Sequence, residues 1–193
     1  MKLILDKYFT PNKLAKKCID LALSNCHNIT EIIEPSAGAG AFSLQIQNCI
    51  AYDIAPEHES VKEQDFLKLE LPYKKGRLII GNPPFGVKNT LSVQFFKKAC
   101  KIADYIAFIL PISQLNNNRQ MYDFDLIKSI DLDEVKYTDR NLHCCLAWRR
   151  ADNGTKAHKR RASCISRLCA YALLAHQTIE PDIYDNAVCD GGF

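Results

Sequence analysis

Two short segments of the sequence are almost continuously apolar, and they restrict the fold more than any other feature. Residues 105–110 read Tyr-Ile-Ala-Phe-Ile-Leu, and residues 77–81 read Arg-Leu-Ile-Ile-Gly. Strands that are apolar on both sides are typical of parallel sheets whose two faces are covered by helices. Apolar residues at helical spacing predict such helices at residues 11–25 and 91–103. The alternation of strands and helices predicts an α/β fold with a doubly wound sheet.

Shorter segments complete this pattern. Further strands are predicted at residues 31–34, 49–53, 61–66, 131–138 and 142–149, and helical composition is found at 41–47 and 168–176. Thr10 is the predicted N-cap of the first helix, with Pro11 at its first helical position. In doubly wound sheets, ligands bind beyond the carboxyl ends of the strands, so the residues that follow each strand are the candidates for a site.

Length and composition exclude several classes of protein. The chain has 193 residues, 47% of them hydrophobic, which suits one domain with small extensions. No apolar run approaches the ~18–20 residues that span a bilayer, and the first residues do not resemble a signal peptide, so a cytoplasmic protein without a membrane partner is expected. The nine cysteines show no C-x-x-C spacing, which predicts free thiols and no metal site.

The charges are concentrated near the C-terminus. Residues 149–167 contain seven Lys or Arg and one Asp, whereas residues 168–193 contain four acidic residues and no Lys or Arg. The basic segment could bind phosphates or could be a solvated tail, and the sequence leaves both open. We therefore expect one domain over residues 1–150, followed by a basic and then acidic tail, residues 151–193, that forms no clear domain.

A glycine-containing loop follows the predicted strand 31–34. It reads Glu34-Pro35-Ser36-Ala37-Gly38-Ala39-Gly40. Glycines allow a backbone to approach a ligand closely, although the third glycine of a dinucleotide fingerprint is absent. Asp53 ends the next strand, where an acid can accept hydrogen bonds from ribose hydroxyls. Asp65 and Phe66 end the third, where a carboxylate and a ring could contact an adenine.

Asn82-Pro83-Pro84-Phe85 is the strongest single signal. Two prolines after a buried strand end its hydrogen-bond ladder and hold Asn82 at the edge of the sheet. The side-chain oxygen of Asn82 and a proline carbonyl are both acceptors, so together they could hold the two hydrogens of one amino group. Phe85 could stack on a planar base. This combination predicts chemistry on an exocyclic amine or an amide.

These motifs resemble those of the N6-adenine-specific DNA methyltransferases, which belong to the Rossmann-like S-adenosylmethionine-dependent class. Asn82-Pro83-Pro84-Phe85 is similar to their catalytic tetrapeptide, Tyr8-Phe9-Thr10-Pro11 to their N-terminal motif, and residues 34–42 to their cofactor loop. The order of the motifs is also the same, and the resemblance covers roughly residues 7–150.

The resemblance implies a seven-stranded, mostly parallel sheet flanked by helices, and S-adenosylmethionine as the cofactor. It implies that Asn82, Pro83, Pro84 and Phe85 act on a target adenine. The cofactor would be held by Thr10, Pro11, Glu34, Ser36, Gly38 and Gly40 at its methionine part, by Asp53 at its ribose, and by Asp65 and Phe66 at its adenine. Pro35 and Ile54 are further expected cofactor-binding residues. The implied substrate is nucleic acid, DNA ahead of RNA, as in restriction-modification.

One part of that family's pattern is missing. Its members usually carry a sizeable target-recognition domain, and only about forty residues follow the last predicted strand here. A separate specificity subunit is therefore a candidate partner.

Two other functions remain open. A glutamine-amide protein methyltransferase uses a similar Asn-Pro-Pro loop, but usually with Tyr as the fourth residue and without the Tyr-Phe-Thr-Pro start. A non-catalytic nucleic-acid-binding subunit would be expected to have lost these motifs. The polar segment 114–120 could contact substrate or be a solvated connection, and His143 is expected to be a packed or exposed histidine and not a base.

Overall fold

The computed structural model describes residues 9–114, 125–136, 141–150 and 171–173. Eight strands form one sheet in the order β3-β2-β1-β4-β5-β7-β6-β8. Their bounds are β1 Glu31–Glu34, β2 Ile50–Asp53, β3 Lys62–Glu63, β4 Arg77–Gly81, β5 Tyr105–Pro111, β6 Asp125–Lys136, β7 Asn141–Arg150 and β8 Tyr171–Leu173.

Most neighbouring strands run parallel. The pairs within β3-β2-β1-β4-β5 are all parallel, whereas β7 is antiparallel to both β5 and β6. The three-residue β8 pairs parallel with β6 and extends the sheet beyond the seven predicted strands. The predicted Rossmann-like, mostly parallel sheet is confirmed, and its strand order reverses between the neighbours β1 and β4.

Among the residues that the structure describes, one α-helix covers each face of the sheet. Helix α1, Asn12–Asn25, packs in a cluster with Leu78 and Ile80 of β4. Helix α2, Thr90–Ile102, packs in a second cluster with Ile79 of β4 and Phe108 of β5. Successive side chains of a strand point to opposite faces, so the unbroken apolar runs of β4 and β5 supply both clusters. Within the described ranges, neither helix is long and apolar enough to cross a membrane.

The cysteines in the described part of the chain are free thiols. Four of them are buried, and burial raises the pKa of the Cys18 thiol to about 12. Among the described residues, no group of His, Cys, Asp or Glu is arranged to hold a metal ion.

Three predicted helical features differ from the structure. Residues 41–47 contain only a 3-10 turn, Ser43–Gln45, because the chain must reach β2 at Ile50. Pro11, with φ −58° and ψ 136°, occupies the N-cap position predicted for Thr10. Within the predicted helical segment 168–176, residues 171–173 form β8, and the other residues lie outside the described ranges.

Two predicted strands have bounds that differ by more than one residue from those in the structure. The strand predicted at 61–66 is reduced to Lys62–Glu63, because the Asp65 carboxylate accepts a hydrogen bond from Leu67 N (2.9 Å) in a turn. The strand predicted at 131–138 begins earlier, at Asp125. Residues 137 and 138 lie outside the described ranges.

Candidate active site

The candidate residues converge on the carboxyl edge of the sheet. The glycine loop follows β1, Asp53 ends β2, and Asn82 follows β4. Since β1 lies between β2 and β4 and all three are parallel, these segments leave the sheet side by side. This is the point of strand-order reversal, where ligands bind in doubly wound sheets.

Asp53 is joined directly to the glycine loop. Gly38 N donates to its Oδ2 (2.7 Å), and Ala55 N donates to its Oδ1 (2.8 Å). Each carboxylate oxygen has a further lone pair, so Asp53 can accept additional hydrogen bonds without releasing either backbone donor. Ile54, which follows it, leaves 46% of its surface exposed. An oriented acceptor and an accessible apolar side chain therefore lie next to each other.

The loop requires glycine at two positions. Gly38 and Gly40 have φ of +53° and +83°, in the left-handed region where other residues are strained. A Cβ atom on Gly40 would also lie 2.9 Å from Leu44 Cγ, whereas one on Gly38 would meet only the Phe9 ring, at 3.9 Å. The Phe9 side chain is 40% exposed beside the loop. Phe9 was not among the predicted site residues, although it stands within the quoted N-terminal motif.

Glu34, at the start of the glycine loop, is buried and hydrogen-bonds to the segment that follows the loop. It is 1% exposed, and its Oε2 accepts a hydrogen bond from Ser43 N (2.7 Å), three residues beyond the end of the loop. Burial raises the pKa of Glu34 to about 7, against the opposing effect of its hydrogen bonds with Ser43 and Phe42. Glu34 thus supports the loop, and its partner Ser43 had no signal in the sequence beyond its place after Gly40.

Asn82 is oriented by two segments that are distant in the sequence. Its Nδ2 donates to Thr10 Oγ1 (3.1 Å), and its backbone carbonyl accepts a hydrogen bond from Ser36 Oγ (3.2 Å). Because the amide nitrogen of Asn82 is hydrogen-bonded to Thr10, the amide oxygen Oδ1 points away from Thr10. That oxygen is buried and has no hydrogen-bond partner. Asn82 therefore presents one oriented, unused acceptor at the carboxyl end of β4.

The two aromatic rings predicted to contact bases lie in the core. Phe66 is 1% exposed and stacks on Phe95 of α2, with ring centroids 5.4 Å apart. Phe85 is 7% exposed and lies in the apolar cluster with α1. Contact with a base requires a free ring face, which neither residue offers in this structure.

The remaining predicted residues differ in their exposure. Pro35 and Pro83 are buried, Ser36 and Pro84 are partly exposed, and Pro11 is exposed at the start of α1. Asp65 is engaged in its own turn, where Lys68 Nζ lies 3.6 Å from its Oδ2. The structure thus joins Thr10, Ser36 and Asn82 in one hydrogen-bonded group and Gly38 and Asp53 in another.

Comparison with known proteins relates the fold to methyltransferases. No family model matches the sequence, and no curated protein does. Among solved structures, a proposed RNA methyltransferase from Pyrococcus horikoshii aligns with TM-score 0.62 and 16% identity, over 78% of this chain and 89% of that one. A proposed class I S-adenosylmethionine-dependent methyltransferase from Listeria monocytogenes aligns with TM-score 0.61 and 14% identity, over 88% and 67%.

A third structure belongs to a larger protein. The modification subunit of a proposed type I restriction enzyme from Vibrio vulnificus aligns with TM-score 0.59 and 11% identity. The alignment covers 77% of this chain but only 45% of that subunit. At these identities the similarity shows the fold, which is the Rossmann-like fold of these methyltransferases.

Proposed function

We propose that this protein is an S-adenosylmethionine-dependent methyltransferase that modifies the N6 amino group of adenine in nucleic acid. The observation that carries the proposal is the buried, unpartnered Oδ1 of Asn82, held in place by Thr10 at the carboxyl end of β4. Leaving a buried acceptor without a partner costs free energy, so such a group is expected where a ligand supplies the donor.

The residues around the glycine loop fit S-adenosylmethionine. Asp53 keeps lone pairs for ribose hydroxyls while two backbone N–H groups fix its orientation. The left-handed Gly38 and Gly40 leave the loop without Cβ atoms, and Ile54 is exposed next to Asp53. In this proposal Thr10, Pro11, Glu34, Pro35, Ser36 and Asp65 complete the site, and the cofactor when bound supplies a methyl group on a sulfonium.

Asn82 would prepare the acceptor nitrogen. The lone pair of an exocyclic amine is delocalised into its ring, which makes the nitrogen a poor nucleophile. An acceptor that draws an N–H bond out of the ring plane localises this lone pair and directs it towards the methyl donor. Positioning is then the main catalytic contribution, because two bound partners react as if at high effective concentration.

Adenine in a nucleic acid is the substrate that we infer. The tetrapeptide ends in Phe85, whereas the resembling glutamine-amide enzymes usually carry Tyr there. DNA is the first polymer to test and RNA the second, since similar folds occur in a proposed RNA methyltransferase and in a restriction-enzyme subunit. A base in a duplex would have to leave the stack to reach Asn82.

Label transfer from tritiated S-adenosylmethionine tests the proposal. The purified protein is offered duplex DNA, single-stranded DNA, total RNA and a protein extract in parallel, and the product is digested to nucleosides. We expect label in 6-methyladenine. Label in protein would instead indicate amide methylation. No label on any polymer despite cofactor binding would count against activity of this chain by itself, and would support a missing specificity partner or a non-catalytic subunit.

Two variants separate the assigned roles. Asn82→Ala should abolish transfer and leave the calorimetric affinity for S-adenosylmethionine nearly unchanged, because Asn82 is assigned to the acceptor. Asp53→Ala should weaken cofactor binding, and Asp53→Asn, which retains one acceptor oxygen, should weaken it less. Equal loss of cofactor affinity in Asn82→Ala would contradict the assigned role.

A further inference from the structure

A second buried acceptor resembles that of Asn82. Within the part of the chain that the structure describes, two side-chain amide oxygens are buried without a hydrogen-bond partner, Asn82 Oδ1 and Gln114 Oε1. The Gln114 side chain is nearly inaccessible, with 4% of the residue surface exposed. Gln114 was predicted only as the first residue of a polar segment that could contact substrate or be a solvated connection.

Gln114 lies at the same edge of the sheet as Asn82. It ends the single 3-10 turn, Ile112–Gln114, that directly follows β5. Strand β5 is the parallel neighbour of β4, with Gly81 opposite Phe108, so the two chains leave the sheet in the same direction. Asn89 Nδ2 donates to Ser113 Oγ (3.3 Å), which joins this turn to the segment following the catalytic tetrapeptide.

The burial of Gln114 is not explained by the fold alone. A glutamine in a core normally has its oxygen satisfied by a neighbour, and an unsatisfied one is destabilising. An apolar residue of the same length would fill the position without that cost. The amide is therefore better explained by a donor that arrives with a ligand.

We propose that Gln114 binds the acceptor adenine and helps to select it; this inference rests on the proposed function. Adenine presents the N6 amino group next to the N7 acceptor, and a glutamine amide matches that pair with its oxygen and its nitrogen. Gln114 Oε1 shares with the proline carbonyl the N6 hydrogen that Asn82 does not hold, and Gln114 Nε2 donates to N7. Guanine places an acceptor, O6, where adenine has the amine, so the same amide disfavours it.

The test compares an isosteric apolar variant with an isosteric variant that can only accept hydrogen bonds. Gln114→Met removes the amide, and Gln114→Glu keeps acceptor oxygens but removes the Nε2 donor. Gln94→Met, on the exposed side of α2, is the control. For an oligonucleotide that the wild type methylates, we expect Gln114→Met to raise KM about tenfold, the size of one or two hydrogen bonds. Gln114→Glu should lose at least as much, because its carboxylate would face the N7 lone pair. Cofactor affinity and the Gln94→Met enzyme should be unchanged.

A substrate with one atom changed makes the test specific. Replacing the target base by 7-deazaadenine removes N7, which should raise KM for the wild type but add nothing to the loss in Gln114→Met. Thermal unfolding supplies the structural readout, since Gln114→Met should be as stable as the wild type or more so. Lower stability with an unchanged KM, or an equal effect of 7-deazaadenine on both enzymes, would overturn the inference. An inactive wild type would instead refute the proposed function, and this inference with it.

Discussion

At the scale of single residues, long-range hydrogen bonds decide how the site is built. Asn82 and Thr10 are 72 positions apart, yet the threonine hydroxyl determines which end of the asparagine amide remains available. From its position in the sequence, Thr10 is expected to cap the first helix. Nothing in the sequence indicates that its hydroxyl orients Asn82 instead. The same applies to Glu34, whose bond to Ser43 closes the glycine loop.

The buried acid gives a pH-dependent prediction. Burial raises the pKa of Glu34 to about 7 from 4.5, so between these pH values the unfolded chain loses this proton while the folded protein retains it. The stability contributed by Glu34 is thus fully present below pH 4.5 and is lost as pH rises through about 7, by about 3 kcal/mol. Glu34→Gln, which can still accept from Ser43, should remove this loss.

Urea unfolding of both proteins between pH 4.5 and pH 8 measures the effect. The stability of Glu34→Gln relative to the wild type should increase across this range and then level off. Parallel stability curves for the two proteins would show that Glu34 is not protonated in the folded state near neutral pH.

At the scale of elements, the two ends of β1 and β4 carry different groups. Their carboxyl ends carry the glycine loop and Asn82, whereas their amino ends carry an ion-pair group. Arg77 is 4% exposed and donates to Pro72 O (2.7 Å), to Ile102 O (2.9 Å) and to the Glu31 carboxylate. Burial acts to raise the pKa of Glu31, but hydrogen bonds from Lys74 and Arg77 outweigh it and lower that pKa.

We therefore predict that Glu31→Gln destabilises the fold without altering the chemistry. The substitution leaves the buried guanidinium of Arg77 without its counter-charge, which should cost about 3 kcal/mol. Chemical denaturation measures this loss, and methyl transfer at low temperature should be retained. In the control Asp20→Asn, the partners Lys16 and Asp20 are 57% and 59% exposed, so the loss should stay below about 0.5 kcal/mol. Equal effects of the two substitutions would contradict a structural role for Glu31.

At the scale of the whole molecule, the open point is how the charged C-terminal tail, residues 151–193, relates to the sheet. The tail contributes β8, Tyr171–Leu173, to the edge of the sheet beside β6. The rest of residues 151–193 lies outside the described ranges, so our division into a domain at 1–150 and a separate tail remains a proposal. Because β8 pairs with the sheet, neutralising basic residues is a cleaner test than deleting the tail.

Neutralisation of Lys159, Arg160 and Arg161 to Gln should weaken nucleic-acid binding if the basic segment contacts phosphates. Each lost contact with a duplex should reduce the slope of log affinity against log salt by about 0.9. The control neutralises three exposed lysines of the helices, Lys17, Lys97 and Lys101, which removes the same charge elsewhere. Equal slopes for both variants would mean that the segment acts only through net charge.

Local sequence signals determined the layout of this protein. The apolar runs of β4 and β5 predict buried strands because only a sheet covered on both faces accommodates them. Gly38, Gly40 and the Pro83-Pro84 pair mark where strands end, because glycine conformation and the missing proline donor act within a few residues. The strand pattern, the covered sheet and the edge that carries Asp53 and Asn82 all follow from such signals.

Tertiary structure decided which of these residues are packed in the core and which keep unused hydrogen-bonding atoms. Phe66 and Phe85 follow strands just as Asn82 does, but packing against α2 and α1 places both rings in the core. Gln114 looks like the first residue of a polar loop, yet it is buried with an unpartnered oxygen. Burial and hydrogen-bond partners depend on segments that meet only after folding, so no local pattern in the sequence records them.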